Sequence, residues 1–411
     1  MNITIVICAY NRPLSLKRLL GFIDKSNYNS DSIDLYISID GGGGQNAEVI
    51  NIAESFTFRF GKKHIIKQDV NIGLKKHILS CGDLVEKYDG IILLEEDIVL
   101  SPDYYGYTLQ AVTYYENDNN ISGIALYKNN LNESSWGIPF FPAIDRKDVF
   151  FMQVPCSWGQ AWTKKQWQKF RSFYNENEDF NFDTIDLPLN VKYWPSKSSW
   201  KKYFFAYMVI NNLYFVYPTI AFSSNWGDVG QHFEKAEDGL QVPLSMNKNN
   251  INYNFVAFID SANRYDAYME IEPDCLRALG FTPNKSFIVD MYGAKEFSKY
   301  KVEYALSLKS LKNNISDSIS FSANMLPLVN NIIYNIQGDV FNFAPVSLFE
   351  EETSTEKKEI LISKIIGYSY VFIKDRYTNL YKKSLYYKIG YYLMHPSKGI
   401  VVFMRKIFNI K

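Results

Sequence analysis

The sequence predicts an α/β fold built on a mostly parallel central sheet, and three observations carry that expectation. Apolar runs alternate with amphipathic stretches through the first hundred residues, each apolar run ends in polar or glycine-rich residues, and one ends in the three carboxylates Glu95-Glu96-Asp97. Apolar runs separated by stretches of helical period are the pattern of βαβ units, whose strands lie parallel and buried on both faces.

Residues 3–9, rich in Ile and Val, read as the first strand. A helix over 13–23 follows, opened by Pro13, whose fixed φ suits a first helical turn, and carried by apolar positions 16, 19, 20 and 23. The same alternation gives a strand at 35–39, a helix at 47–56, a strand at 64–67, a helix at 74–86 and a strand at 90–94. In such sheets ligands bind beyond the carboxyl ends of the strands. Those ends are Tyr10-Asn11-Arg12, then Asp40 with the glycines at 41–44, then residues 69–73, then the acidic triplet. Four polar ends on one edge outline one cleft. The glycine run lacks both the Gly-x-Gly-x-x-Gly spacing and a Walker lysine, so it reads as a turn beside Asp40.

From 104 to about 250 the chain is rich in Trp, Tyr and Phe, which serve equally as core and as platforms for sugar rings. Short alternating runs at 255–259, 287–291 and 302–308 suggest a small accessory α+β region, and the charged, Ser/Thr-containing stretch at 351–358 reads as a linker. Three segments follow: 1–250, 251–350 and a helical basic segment at 351–411. Residues 361–411 hold ten Lys/Arg against Asp375 alone; in a chain of zero formal net charge, the remainder is therefore acidic by nine.

With 411 residues and 47% hydrophobic content the chain can bury a large core, which excludes a disordered protein. It has no apolar run long enough to cross a membrane and no basic n-region before the first strand, so a cytoplasmic protein is expected. Cys8, Cys81, Cys156 and Cys275 are far apart in sequence and lack metal-ligand spacing, so free thiols are expected and a zinc site is not.

An apolar strand does not carry three carboxylates for packing, since burying one without a partner is costly. Glu95-Glu96-Asp97 therefore suggests a hard divalent ion, Mn²⁺ or Mg²⁺, held by oxygen ligands. A solvated turn, or an acidic cap on the helix after Pro102, is the bland alternative.

The run Ile5-Val6-Ile7-Cys8-Ala9-Tyr10-Asn11-Arg12-Pro13, then Ser38-Ile39-Asp40-Gly41-Gly42, Asn71-Ile72-Gly73-Leu74 and Leu94-Glu95-Glu96-Asp97, stand in an order and rough spacing that resemble the inverting glycosyltransferases of the GT-A fold. Within that family the likeness is to the branch related to N-acetylglucosaminyltransferase I, through Ser101-Pro102-Asp103 after the triplet and Ser157-Trp158-Gly159-Gln160-Ala161-Trp162 later. The resemblance covers about residues 1–235 and implies a UDP-sugar donor. By position it implies Asp97 as a metal ligand, with His232 a metal or phosphate contact. Glu95 and Glu96 would meet the ribose or a metal-bound water, Asp40 the uracil, Tyr10, Arg12, Lys75 and His77 the nucleotide, and Trp158, Gly159 and Trp162 the sugar or acceptor.

Inversion needs a general base. Related chains carry an acid after a Trp in the helix before the 214–222 strand, whereas Trp200 here is followed by Lys201 and Lys202. Asp145, Asp148, Asp183, Asp186 and Asp228 are the alternatives, with Asp228 and Asp186 favoured because they flank that region. The expected partners are a UDP-sugar and a saccharide or lipid-linked glycan acceptor in surface polysaccharide synthesis. Residues 361–411 suggest attachment to an anionic inner membrane face or packing on protein; nucleic acid is not expected. A sugar-nucleotide or glycan-binding protein that kept the fold without catalysis is the competing expectation.

Overall fold

The computed structural model describes residues 1–29, 32–135, 137–229, 239–246, 251–312 and 318–366. The chain divides into two compact units, Met1–Ser354 and Thr355–Lys411.

The first unit is an α/β fold around a nine-stranded mixed sheet, mostly parallel. Its parallel half is built by β1 (Ile3–Ala9), α1 (Pro13–Lys25), β2 (Leu35–Ile39), α2 (Ala47–Ser55), β3 (Lys63–Lys67), α3 (Leu74–Gly82) and β4 (Gly90–Glu95), with the strands in the order β4-β1-β2-β3. Every residue of β1 and β2 is buried, as a strand covered on both faces requires. α1 opens on Pro13 and buries Leu16, Leu19, Leu20 and Ile23, the predicted stripe. The predicted helix at 74–86 is shorter: α3 ends at Gly82 and a 3₁₀ turn, Asp83–Lys87, completes the passage to β4. Gly82 packs so closely on the Trp167 ring that a Cβ there would lie 2.0 Å from a ring carbon.

The other half of the sheet continues from β4 through Gln160–Thr163, Ile121–Ala125, Tyr214–Pro218, Val149–Met152 and Arg264–Tyr265. Gln160–Thr163 runs antiparallel to β4, so the sheet changes direction beside the strand that carries the acidic triplet. The helix Lys164–Glu176 begins with a capping box, Thr163 and Gln166 each bonding the other's backbone N–H. A second, four-stranded sheet uses Phe287–Asp290, Tyr304–Ser307, Ile319–Phe321 and Phe341–Pro345. The apolar run at 255–259 is not a strand: it leads into a 3₁₀ turn, Phe258–Asp260, and its side chains Phe255, Val256 and Phe258 pack on the main core instead.

Of the second unit, the described part is the helix Thr355–Ile366. The remaining 45 residues of the basic segment, 367–411, lie outside the described residues.

Candidate active site

Parallel register brings the carboxyl ends of β1, β2 and β4 together: Ala9 lies opposite Ile39, and Cys8 opposite Glu95. The chain leaves β4 through Glu96 and Asp97 and re-enters extended structure at Ile98–Leu100, which pairs antiparallel with Ser223–Asn225. That two-stranded ribbon delivers a distant segment to the triplet. Trp226 N–H donates to the Asp97 carbonyl at 3.0 Å, and Asn225 Nδ2 lies 3.4 Å from Asp97 Oδ2.

Arg12 is the hub. Its Nε donates to Glu96 Oε1 at 2.9 Å and its Nη1 to Asp97 Oδ2 at 2.7 Å, so one guanidinium bridges two neighbouring carboxylates. Burial works against the guanidinium's charge, but the two carboxylates outweigh it and hold Arg12 firmly cationic. Glu95, partly buried, has no hydrogen-bond or ion-pair partner among the described residues. Burial, then repulsion from Asp97 and Glu96, push its carboxyl up to about 8 against the pull of Arg12 and Lys201.

Glu95 makes the site a pH-sensitive element of the fold. The folded chain keeps this proton up to about 8, while the unfolded chain releases it near the ordinary 4.5. Between those values the unfolded chain binds fewer protons, so stability falls as pH rises through that window. Glu95→Gln removes the titration. In metal-free protein its unfolding free energy from denaturant titration should exceed the parent's at about pH 9 by roughly 2–4 kcal/mol, and match it near pH 4. An advantage that does not grow with pH would contradict this account.

Asp40 is buried at the end of β2 and clasps the loop after β3: its Oδ1 accepts from the backbone N–H of Gly41 at 2.8 Å and Ile72 at 2.9 Å, and its Oδ2 from Gly73 at 3.1 Å. Its carboxylate thus shapes the cleft edge, whatever else it meets. The contact is tight enough that a Cβ on Gly41 would sit 2.1 Å from the Val70 carbonyl carbon. Gly41→Ala is expected to push residues 70–73 outward and to cost about 1–3 kcal/mol in denaturant unfolding; an unchanged midpoint would show that the loop yields freely.

The remaining expected residues fall into three groups. Asp228 arrives with the ribbon and lies over α1, its Oδ2 accepting from Ser15 Oγ at 2.6 Å and pairing with Arg18, whose guanidinium stacks 4.3 Å over the Trp226 ring. Trp158 is partly buried, edge-on to Tyr127 at 4.7 Å, with Lys201 Nζ 6.0 Å from its ring. Gly159, at φ +90°, lets the chain pass Ser223, whose Oγ would lie 2.9 Å from a Cβ there. These belong to the neighbourhood of the acidic edge, and Tyr10 follows β1 directly on the same edge.

Lys75, His77, Trp162 and Asp186 have other surroundings. Lys75 Nζ donates to the Ser196 carbonyl at 3.0 Å and lies 4.9 Å from the Tyr203 ring. His77 is buried beneath the sheet edge, between Cys8 Sγ at 3.1 Å and Ser38 Oγ at 2.8 Å. Trp162 is fully buried among Trp167, Trp200 and Phe204, so its ring offers no face to a ligand. Asp186 accepts from Tyr268 at 2.8 Å, Lys299 at 3.2 Å and Tyr300 at 2.5 Å, partners that all come from the later part of the chain. His232 lies outside the described residues.

Sequence reasoning passed over three contributors. Asn225 reaches Asp97 only through strand pairing between segments more than a hundred residues apart, which no local pattern signals. Lys201, which stands where an acid was expected, lies 5.2 Å from the Trp194 ring and adds positive charge toward Glu95. Glu133 sits 3.9 Å from Lys201 and accepts from Asn129 Nδ2 at 2.9 Å. The Trp200-Lys201-Lys202 run was the visible signal. Lys202 instead caps the preceding turn, donating to the carbonyls of Lys192 at 2.7 Å and Trp194 at 2.9 Å. A shallow depression lined by Lys165, Lys169, Phe173 and Tyr207 shares no residue with the acidic edge.

The acidic edge supplies oxygen donors of the kind a hard cation takes, but among the described residues its three carboxyl groups do not gather into one ready ligand set. Its donors are carboxyl oxygens: Glu96 and Asp97 share Arg12, and Glu95 stands unpartnered and partly buried, repelled by both.

No family model and no curated protein sequence matches the chain. Among solved structures, S. aureus TarS in complex with UDP-GlcNAc is similar over 58% of this chain and 62% of that one, at 12% identity and a TM-score of 0.37. The mannosyltransferase PcManGT from Pyrobaculum calidifontis, in complex with GDP-Man and Mn²⁺, is similar over 40% and 45%, at 12% identity and 0.28. A cytidylyltransferase from Leptospira borgpetersenii is similar over 52% and 72%, at 13% identity and 0.28. The chain spans less than two thirds of TarS, and at these values the likeness says nothing of substrate.

Proposed function

We propose that this chain is a metal-dependent, inverting glycosyltransferase of the GT-A fold that moves a hexose or N-acetylhexosamine from a UDP-sugar to a hydroxyl of a saccharide or lipid-linked glycan. The observation that carries the reading is the unpartnered Glu95 beside an Arg12-bridged Glu96 and Asp97 at the carboxyl edge of β1 and β4. A clustered excess of negative charge facing a cleft is costly to a fold and useful to an enzyme that must hold a cation there.

Asp97, with Glu95 or Glu96, would hold Mn²⁺ or Mg²⁺. Bound there, the ion would neutralise charge gathering on a leaving nucleoside diphosphate. Arg12 has N–H donors beyond the two it uses, and these suit a phosphate or carbonyl oxygen. Trp158 and Lys201 offer an aromatic face and a cation beside the same edge. Asp228, which also holds Ser15 and Arg18, is the acid that the ribbon carries to the edge, and is our choice for taking the acceptor proton; the partners of Asp186 are Tyr268, Lys299 and Tyr300 from the later part of the chain.

The test is thermal unfolding of the purified chain with UDP-, GDP-, TDP- and CMP-sugars, with Mn²⁺ or with EDTA. A rise in midpoint specific to a UDP-sugar and abolished by EDTA supports the reading. A rise that EDTA does not touch points to the competing one, a nucleotide- or glycan-binding protein, which the lysines after Trp200 favour. No response to any nucleotide sugar overturns the transferase reading and leaves a glycan-binding or scaffold role.

Among the described residues no helix is long and apolar enough to cross a membrane. The basic excess of residues 361–411 motivates a peripheral role at an anionic inner membrane face. Deleting 361–411 should reduce co-sedimentation with phosphatidylserine-containing vesicles severalfold, in a salt-dependent way. Equal binding by full-length and truncated chains would assign the basic excess to protein packing.

A further inference from the structure

Four cysteines scattered along a sequence give no metal-binding signature, yet folding gathers two of them around a histidine. Cys8 stands on β1 and pairs in register with Ser38 on β2, while His77 and Cys81 lie one turn apart on the same face of α3. Cys8 Sγ is 3.1 Å from His77 Nδ1, and the donor atoms of Cys8, His77 and Cys81 all lie within 4.8 Å of one another. Two ligands on one tetrahedral zinc, at about 2.3 Å for sulfur and about 2.0–2.1 Å for nitrogen, stand roughly 3.5 Å apart. Cys8 and His77 already stand near that spacing, and the Cys81 donor lies within 4.8 Å of both.

We propose that Cys8, His77 and Cys81 form a buried site for a thiophilic d¹⁰ metal ion, separate from the oxygen-lined edge above it. Three features beyond proximity support it. Two thiolates and Zn²⁺ sum to zero charge, the balance that a fully buried site requires, whereas two thiolates with copper(I) leave one negative charge. Binding replaces the two thiol protons, which leave to solvent, so no oxidant or reductant enters the step. The far ring nitrogen of His77, Nε2, is held by Ser38 Oγ at 2.8 Å, the outer hydrogen bond that fixes ring orientation in metal-ligating histidines. The other two cysteines lack this company: Cys156 and Cys275 face the carbonyls of Gly159 and Ser261.

The ligand chemistry differs in kind from the triplet's. Soft sulfur selects zinc or copper(I), whereas Glu95, Glu96 and Asp97 select magnesium or manganese. The proposal therefore stands or falls independently of the transferase reading. It gives the first strand, α3 and the start of the Tyr10-Asn11-Arg12 loop a common anchor beneath the acidic edge.

The test loads the full chain, purified under reducing conditions, with Zn²⁺ in one arm and copper(I) without oxygen in the other, removes excess ion, and measures metal per chain by elemental mass spectrometry. One equivalent of either ion is expected, falling at least tenfold in Cys81→Ala and unchanged in Asp97→Ala. Iodoacetamide labelling read by peptide mapping covers the case in which Cys81→Ala does not fold. In the folded parent chain, metal should slow labelling of Cys8 and Cys81 at least tenfold while leaving Cys156 and Cys275 unaffected. Metal content equal in parent and Cys81→Ala, loss of metal in Asp97→Ala, or labelling indifferent to metal would each overturn the proposal.

Discussion

Asp97→Ala is expected to remove the metal-dependent response altogether: stabilisation by a UDP-sugar with Mn²⁺ should collapse to the EDTA baseline, and transfer should fall by about two to three orders of magnitude. That drop equals the several kcal/mol of charge stabilisation a Lewis acid supplies. The loss should be local, because among the described residues the Asp97 side chain bonds Arg12 and Asn225. Asp186→Asn is the control. Its partners are Tyr268, Lys299 and Tyr300, so it should weaken the fold while leaving the metal response intact. A variant Asp97→Ala that still answers to Mn²⁺ would place the ion elsewhere.

Arg12→Met is expected to have the largest effect on the fold. Removing one partner of a buried ion pair leaves its counter-charges stranded, at about 3–5 kcal/mol for full burial. With side-chain exposures of 23% for Arg12, 7% for Glu96 and 13% for Asp97, about 2–4 kcal/mol is expected here in metal-free protein. Mn²⁺ should return part of that loss, because a divalent ion does for three carboxylates what the guanidinium did for two. Arg12→Lys should recover less than half, since an ammonium cannot span two acceptors as a planar fork does. Denaturant unfolding with and without Mn²⁺ checks both; a loss that Mn²⁺ leaves unchanged would mean that the triplet does not hold the ion.

The parallel half of the sheet was readable because its signal is local. Runs at 3–9, 35–39, 64–67 and 90–94 became β1 to β4 to within a residue, since buried parallel strands are apolar on both faces and stop where polarity begins. The acidic edge was readable for the same reason: a strand's carboxyl end is a position in sequence as well as in space. What escaped were contacts set by the tertiary path. Nothing near Asn225 announces that it will lie beside Asp97, and nothing in the spacing of Cys8 and Cys81 announces a shared neighbour in His77. Aromatic composition misled in a physical way. Trp158 and Trp162 are four residues apart, yet one lies at the sheet edge and the other is sealed inside, because side chains on a strand alternate faces while the loop before it obeys no period.

The ribbon between Ile98–Leu100 and Ser223–Asn225 sets an order of assembly during synthesis. β1 to β4 and their helices all lie within the first 95 residues, so this half can condense while the rest of the chain is still being made. The triplet and Arg12 are then in place, but the wall that Asn225, Trp226 and Asp228 provide is absent until more than a hundred further residues emerge. A nascent chain, or one truncated before Ser223, would thus present its most negatively charged edge unwalled to solvent. The acidic edge is complete only once a little more than half of the 411 residues have been made.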